Sequence, residues 1–171
     1  MLDKKAIAAA VGVEEYYLFE PTWKLRTTNQ LLHVIAELRK IYQDKALVDE
    51  IVRGMAFIVC HDAQDGEGED SQPLERAGLQ YDIDETSELE MKIAVYRFLV
   101  MADPMDLDCV LTHYEPDQVG MDIWHGLVAS GVGFWSRDLP DDVGDRLSSC
   151  AKLCSHLSYA WLNQAGKISV E

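Results

Sequence analysis

Apolar residues recur at helical spacing in two stretches near the start of the chain. Leu31, Leu32, Ile35, Leu38, Ile41 and Tyr42 form one stripe, and Leu47, Val48, Ile51, Val52 and Met55 continue it past a possible break at Asp44. The pattern predicts one or two amphipathic helices across 28–58, with Thr27, Thr28 and Asn29 offering N-cap side chains. Ahead of them, residues 3–10 read as a short helix stopped near Gly12. The aromatic run at 14–19 (EEYYLF) reads as a strand or an irregular packed segment ended by Pro21.

Residues 62–73 (DAQDGEGEDSQP) hold two glycines, a proline and no large apolar side chain, the pattern of a mobile loop. Leu79, Tyr81 and Ile83 are spaced for a short extended piece. Thr86 and Ser87 then offer caps for a helix carrying Leu89, Ile93, Tyr96, Arg97 and Val100 on one face, which Pro104 stops. From Asp122 the residues become β-rich: DIWHGLV and VGFWS flank Ala129-Ser130-Gly131 and predict a hairpin. A helix follows from Pro140, with Val143, Leu147, Ala151 and Cys154 on one face. A terminal hairpin pairs 157–162 with 167–170. The expected fold is α+β: N-terminal helices, then a ββαββ-like unit with a small antiparallel sheet. Residues 1–48 are expected to form a helical N-terminal extension, and 49–171 an α+β domain with an acidic loop at 62–73.

Charge sharpens this picture. The 171 residues carry 30 acidic and 15 basic side chains, a formal net charge of −15. Residues 61–90 alone hold 11 acidic residues against Arg76, so two thirds of the excess lies in thirty positions. Such a run repels itself unless something cationic meets it. The balance argues against binding a phosphate backbone or an anionic membrane surface. No apolar run nears the ~20 residues that span a bilayer, and the opening Met1-Leu2-Asp3-Lys4-Lys5-Ala6 is no signal peptide. Cys60, Cys109, Cys150 and Cys154 then read as reduced thiols, and the expected location is the cytoplasm, here a host cytoplasm.

A longer pattern runs through the C-terminal half. Gly120-Met121-Asp122-Ile123-Trp124, Gly131-Val132-Gly133-Phe134-Trp135-Ser136-Arg137, Val143-Gly144-Asp145-Arg146-Leu147, Ala151-Lys152, Tyr159 and Gly166-Lys167-Ile168 follow one another in that order. Upstream stand Gln72-Pro73-Leu74 and Tyr81-Asp82-Ile83-Asp84-Glu85. The series resembles a family of small, functionally uncharacterised proteins of tailed phages and other mobile elements. That family's signature runs HDFW, GAGFWDR, LGDxLT and a YVGDDGKIY-like hairpin. The resemblance covers about residues 50–171 and implies a fold and a mobile-element origin. It implies no reaction. The family's Thr-Arg-Asn, WDR and Asp-Asp-Gly are replaced by Gly126-Leu127-Val128, Trp135-Ser136-Arg137 and Gln164-Ala165-Gly166, and no catalytic residue carries over.

The candidate chemistry is sparse. Cys150, Cys154 and His156 with Cys109 and His113 form a zinc set on paper, but no CxxC knuckle is present, and buried apolar thiols are the plainer reading. The oxygen-rich run 65–70 fits neither register of an EF-hand loop. Asp122 and His125, three apart in an expected strand, face opposite ways. The glycines at 131 and 133 open no helix and form no phosphate loop. Trp124 and Trp135 are expected in the core, because a hairpin must bury one face. No catalytic residue, metal ligand or cofactor is therefore assigned.

The expected function is a non-enzymatic accessory protein of a phage or mobile element that binds a host protein. It would present an acidic, nucleic-acid-mimicking surface to a basic partner, such as a nucleic-acid-binding effector, as an anti-CRISPR or anti-restriction inhibitor does. The candidate contact residues are Asp62, Asp65, Glu67, Glu69, Asp70, Asp82, Asp84, Glu85 and Glu88, with the aromatic cluster Tyr16, Tyr17, Phe19 and Trp23. The alternatives are a small hydrolase or metal-dependent enzyme near Asp122, His125 and Arg137, and a structural protein whose stripe at 31–55 pairs in a homodimer.

Overall fold

Short acidic and hydroxyl side chains set the starts of four helices. In the computed structural model, which describes residues 3–10, 12, 14–19, 27–66, 70–74, 82–129, 132–140 and 142–171, each accepts a first-turn N–H that has no helical partner. Thr27 takes Gln30 N–H ahead of α3 (Thr28–Ile41), and Asp44 takes Leu47 N–H ahead of α4 (Lys45–Asp62). Asp84 takes Ser87 N–H ahead of α5 (Glu85–Met101), and Asp103 takes Met105 N–H ahead of α6 (Pro104–His113). The stripe across 28–58 is thus two helices divided at Asp44. Pro104, expected only to stop a helix, also opens the next one, where its missing N–H costs nothing. Before these lie α1 (Lys4–Ala10) and α2 (Glu15–Phe19), so the aromatic run is helical rather than extended.

The expected hairpin at 122–136 does not form. Its first half belongs to α7 (Pro116–Leu127), and its second is a single 3-10 turn, Phe134–Ser136. Pro116 occupies the first turn of α7, and Val119, Ile123 and Trp124 make a buried stripe against α4. Burial of that stripe outweighs the strand preference of Ile, Val and Trp. After α8 (Val143–Cys154) come β1 (Ala160–Leu162) and β2 (Ile168–Val170), paired antiparallel with Trp161 opposite Ser169. The fold is mostly helical with this small two-stranded sheet, broadly α+β; the ββαββ-like unit is not present among the described residues.

Helix α5 is the hub. Met91, Ile93, Ala94, Val95, Tyr96 and Phe98 are all buried, so beyond its exposed first turn the helix is enclosed on all sides from Ile93 to Met101 rather than along one face. It packs on α3, α4, α8 and β2. Its buried Arg97 donates Nε–H to the Leu18 carbonyl at 2.6 Å, tying α2 to the core. Ile7, Leu18, Leu31, Val34 and Leu38 join the same apolar cluster as the rest of the chain, and position 48, the expected edge of the extension, falls inside α4. The stripe at 31–55 lies mainly inside this core, with Leu32 left at the surface.

The closest helix pair is α4 with α7. A Cβ on Gly54 would stand 1.9 Å from the Asp117 carbonyl oxygen, and one on Gly120 would stand 2.0 Å from that of Ile51. Backbone touches backbone at this crossing, and only hydrogen fits there.

Candidate functional site

The acidic segment begins at the end of α4 and finishes in the second turn of α5, at Glu90. The C-terminal hairpin takes hold of it at both ends. On the β1 edge, Gln64 donates N–H to Ala160 O at 2.9 Å and accepts from Leu162 N–H at 2.8 Å. The loop closes on itself through Asp65 N–H to Gln72 O at 2.8 Å and Gln72 N–H to Asp65 Oδ1 at 2.9 Å. The Tyr159 hydroxyl donates to Gly66 O at 2.6 Å and lies 2.7 Å from Ser71 Oγ. On the β2 edge, Ile168 N–H donates to Asp82 O at 2.8 Å and Asp84 N–H donates to Ile168 O at 2.9 Å. The described parts of the expected mobile loop are therefore hydrogen-bonded to the sheet or to each other.

Asp84 is committed inward. Its Oδ2 accepts from Ser169 Oγ at 2.6 Å and from Ser87 Oγ at 2.7 Å, while Oδ1 caps α5. Partial burial works to raise this carboxyl, but the bonds from Ser169 and then Ser87 outweigh it and hold it below the ordinary carboxylate value. Asp62 has a structural task as well, since its Oδ2 accepts the Trp124 indole N–H at 2.8 Å. The remaining described candidates, Asp65, Asp70, Asp82, Glu85 and Glu88, are exposed, and no salt bridge among the described residues includes them. The two edges differ in surroundings. Asp82 and Glu88 line a hollow of about 750 Å³ together with Lys45, Lys92 and Lys167.

Glu67, Glu69 and Trp23 lie outside the described residues, as do the side chains of Tyr16 and Tyr17. Phe19 is half-buried, with Lys4 Nζ 5.2 Å and the Arg97 guanidinium 5.8 Å from its ring centre. It packs as part of the α1–α2–α5 contact.

The structure overturns the expected geometry around Asp122. In α7, Asp122 and His125 lie one turn apart instead of on opposite faces of a strand. Asp122 is 2 % exposed, and Arg137 grips it with two bonds, Nε at 2.9 Å and Nη2 at 3.0 Å. The Tyr114 ring lies 5.1 Å from the guanidinium carbon. Both Asp122 oxygens accept from Arg137, so the cluster is a clamp holding the residue after the 3-10 turn onto α7. Ahead of the turn Gly133 (φ 143°) sits against α7, and Phe134 at its start stacks on Phe98 at 5.4 Å. Gly144 lets α8 approach the Phe134 carbonyl, where a Cβ would stand at 2.5 Å. The short motifs spread over 120–147 thus meet one another as packing contacts. Trp124 is buried as expected, whereas Trp135 is 54 % exposed, a correction that follows from the missing hairpin.

The thiols point the same way. Cys150 and Cys154 are buried in α8, and burial pushes the Cys150 thiol up to about 12 and that of Cys154 higher still. Within α6, His113 Nδ1 lies 2.7 Å from the Cys109 carbonyl oxygen, with the Cys109 Sγ 4.0 Å away. Among the described residues, no three His, Cys, Asp or Glu side chains gather where they could hold a metal ion. No described helix is long and apolar enough to cross a membrane. Sequence reasoning missed the anchors Tyr159, Ser71, Ser169 and Ser87, whose partners lie 83 to 93 positions away in the case of Val170–Ser87, Ser169–Asp84, Ser71–Tyr159 and Tyr159–Gly66. No protein-family model, curated protein or solved structure matches the chain.

Proposed function

We propose that this chain is an accessory protein of a phage or mobile element that binds a basic host protein through the acidic segment. The partner class that suits such a face is a nucleic-acid-binding effector of host defence, whose phosphate-binding groove the carboxylates would occupy. The carrying observation is that one hairpin holds both ends of the segment while Asp65, Asp70, Asp82, Glu85 and Glu88 stay exposed. Gln64, β1, β2 and Ile83 lie side by side, so three inter-strand spacings set the two acidic edges roughly 15 Å apart. That separation is on the order of the ~12 Å major groove of B-DNA, across which phosphate rows face a protein. Anchored carboxylates also lose less side-chain and backbone freedom on binding than a free tail would. The resemblance of residues 50–171 to mobile-element proteins supports the same reading.

The test compares the full chain with a variant carrying Asp65→Asn, Asp70→Asn, Asp82→Asn, Glu85→Gln and Glu88→Gln. All five side chains are exposed, so the variant should fold. From host extract the native chain should retain one stoichiometric basic protein at low salt and lose it at high salt. The captured protein should lose its binding to duplex DNA or RNA in the presence of the native chain. If the neutralised variant captures and inhibits equally well, the reading is wrong.

A further inference from the structure

Beside the glycine crossing, α4 and α7 enclose a cleft of about 570 Å³. That volume suits a small ligand or one long side chain with its neighbours. Phe57 of α4 and Met121 of α7, both half-buried, form its apolar wall. Glu50, Glu115 and Asp117 stand on its rim with Arg53 as the opposing charge. Arg53 does little to neutralise them: its side chain is 72 % exposed and its closest approach to Glu50 is 3.8 Å, too long for a hydrogen bond. An aromatic ring and a thioether are thus framed by carboxylates in excess.

We infer that this cleft is a docking site for an arginine side chain presented by a partner protein. Charge complementarity selects a cation. A guanidinium can lie on the Phe57 ring and donate paired N–H groups to a rim carboxylate. Its methylene stem can cover Met121. A lysine offers no planar fork, and an apolar side chain would strip water from the carboxylates without replacing it. The site rests on the reading that the partner is a basic protein, and it gives that partner an anchor next to the acidic face. Phe57 precedes Asp62 by five helical residues, about 8 Å along α4, so one basic segment can reach both.

The experiment titrates the isotope-labelled full chain with a capped pentapeptide holding one arginine between leucines, and with its citrulline counterpart. The amide signals of Gly54, Phe57 and Met121 should shift with the arginine peptide, and the citrulline peptide should bind at least tenfold more weakly. Glu50→Gln with Asp117→Asn, and separately Phe57→Leu, should each weaken the arginine peptide severalfold or more, while Asp65→Asn with Asp70→Asn should not. Shifts confined to residues 62–88 overturn the cleft and leave the acidic-face reading standing. Equal binding of the citrulline peptide overturns the cleft too, because its charge basis is gone. Failure of the acidic-face reading shows separately, in the host-extract capture described above.

Discussion

The indole N–H of Trp124 donates to the carboxylate of Asp62 at 2.8 Å, joining the middle of α7 to the last residue of α4. Trp124 is buried while Asp62 is exposed, so without the carboxylate the indole N–H loses its protein acceptor at the edge of the interior. Leaving such a donor unmatched costs about 1–3 kcal/mol. Asp62→Ala is expected to destabilise the chain by that amount, and Asp62→Asn by less, since an amide oxygen still accepts. Asp65→Asn and Asp70→Asn should change stability by no more than about 0.5 kcal/mol, since both side chains are exposed and at 65 the amide oxygen still accepts the Gln72 N–H. Urea unfolding of the four variants checks the contrast, and equal effects at 62 and 65 would refute it.

At the α4–α7 crossing the constraint is steric. Gly54→Ala would drive a methyl group to 1.9 Å from a backbone oxygen, which no rotamer change relieves. The helices must separate, and a loss of more than about 3 kcal/mol is expected, at the upper end of overpacking costs. Gly120→Ala should behave alike. Gly166→Ala is the control: nothing lies within 4 Å, and only its φ of 73° opposes a side chain. That costs about 1–2 kcal/mol. Thermal unfolding should rank Gly54→Ala and Gly120→Ala well below Gly166→Ala.

Arg137 and Asp122 give a third test. Asp122 is buried and bonded twice, so Arg137→Ala leaves a carboxylate without its counter-charge in the interior. A loss of about 3–5 kcal/mol is expected. Arg137→Lys should recover only part of it, because an ammonium cannot make both bonds. Trp135→Ala, only two residues earlier but at the surface, should cost under about 1 kcal/mol, whereas Trp124→Ala should cost about 3–5 kcal/mol. Chemical denaturation of these four variants would read the ranking.

These pairs also mark where the sequence was legible and where it was not. Periodic stripes with a capping side chain in front, as at Thr27, betray their helices because both signals are local, although Asp44 caps α4 where only a break was expected and Asp84 caps α5 in place of Thr86 and Ser87, which lie inside it. Helix α7 was hidden. DIWHGLV is rich in strand-favouring residues, and what makes it helical is burial of Val119, Ile123 and Trp124 against α4. A local signal did exist: Pro116 and Asp117 open a helix, and the apolar spacing from 119 to 127 is closer to four than to two. The acidic segment was legible as charge. Its attachment to the hairpin was not, since Asp84 meets Ser169 and Gly66 meets Tyr159 across 85 and 93 positions. Nor could charge counting separate Asp62 and Asp84, whose carboxylates bond to Trp124, Ser87 and Ser169, from Asp65, which closes its own loop onto Gln72, and from Asp70, which faces solvent.

Asp84 and Asp106 predict how the fold responds to acid. Arg146 donates two hydrogen bonds to Asp106, at 2.8 and 2.6 Å, and lowers its carboxyl below the ordinary value against the opposing effect of burial. Asp84 is lowered as well, by Ser169 and Ser87 acting against burial. A carboxyl lowered in the folded state binds its proton more readily when unfolded, so acid favours unfolding. Both contributions are therefore complete above the unfolded value of about 4 and fade as pH falls below it through the lower folded values. Asp84→Asn and Asp106→Asn should each lower stability at pH 7, because a neutral amide accepts the Ser87 and Ser169 bonds less strongly than the Asp84 carboxylate and gives Arg146 no counter-charge at 106. As the native aspartates take up protons they come to resemble the amides, and the gap between native and variant should close. Urea midpoints at pH 7, 4 and 3 would show the convergence. A gap that stays constant down to pH 3 would mean that neither ionised group stabilises the native state.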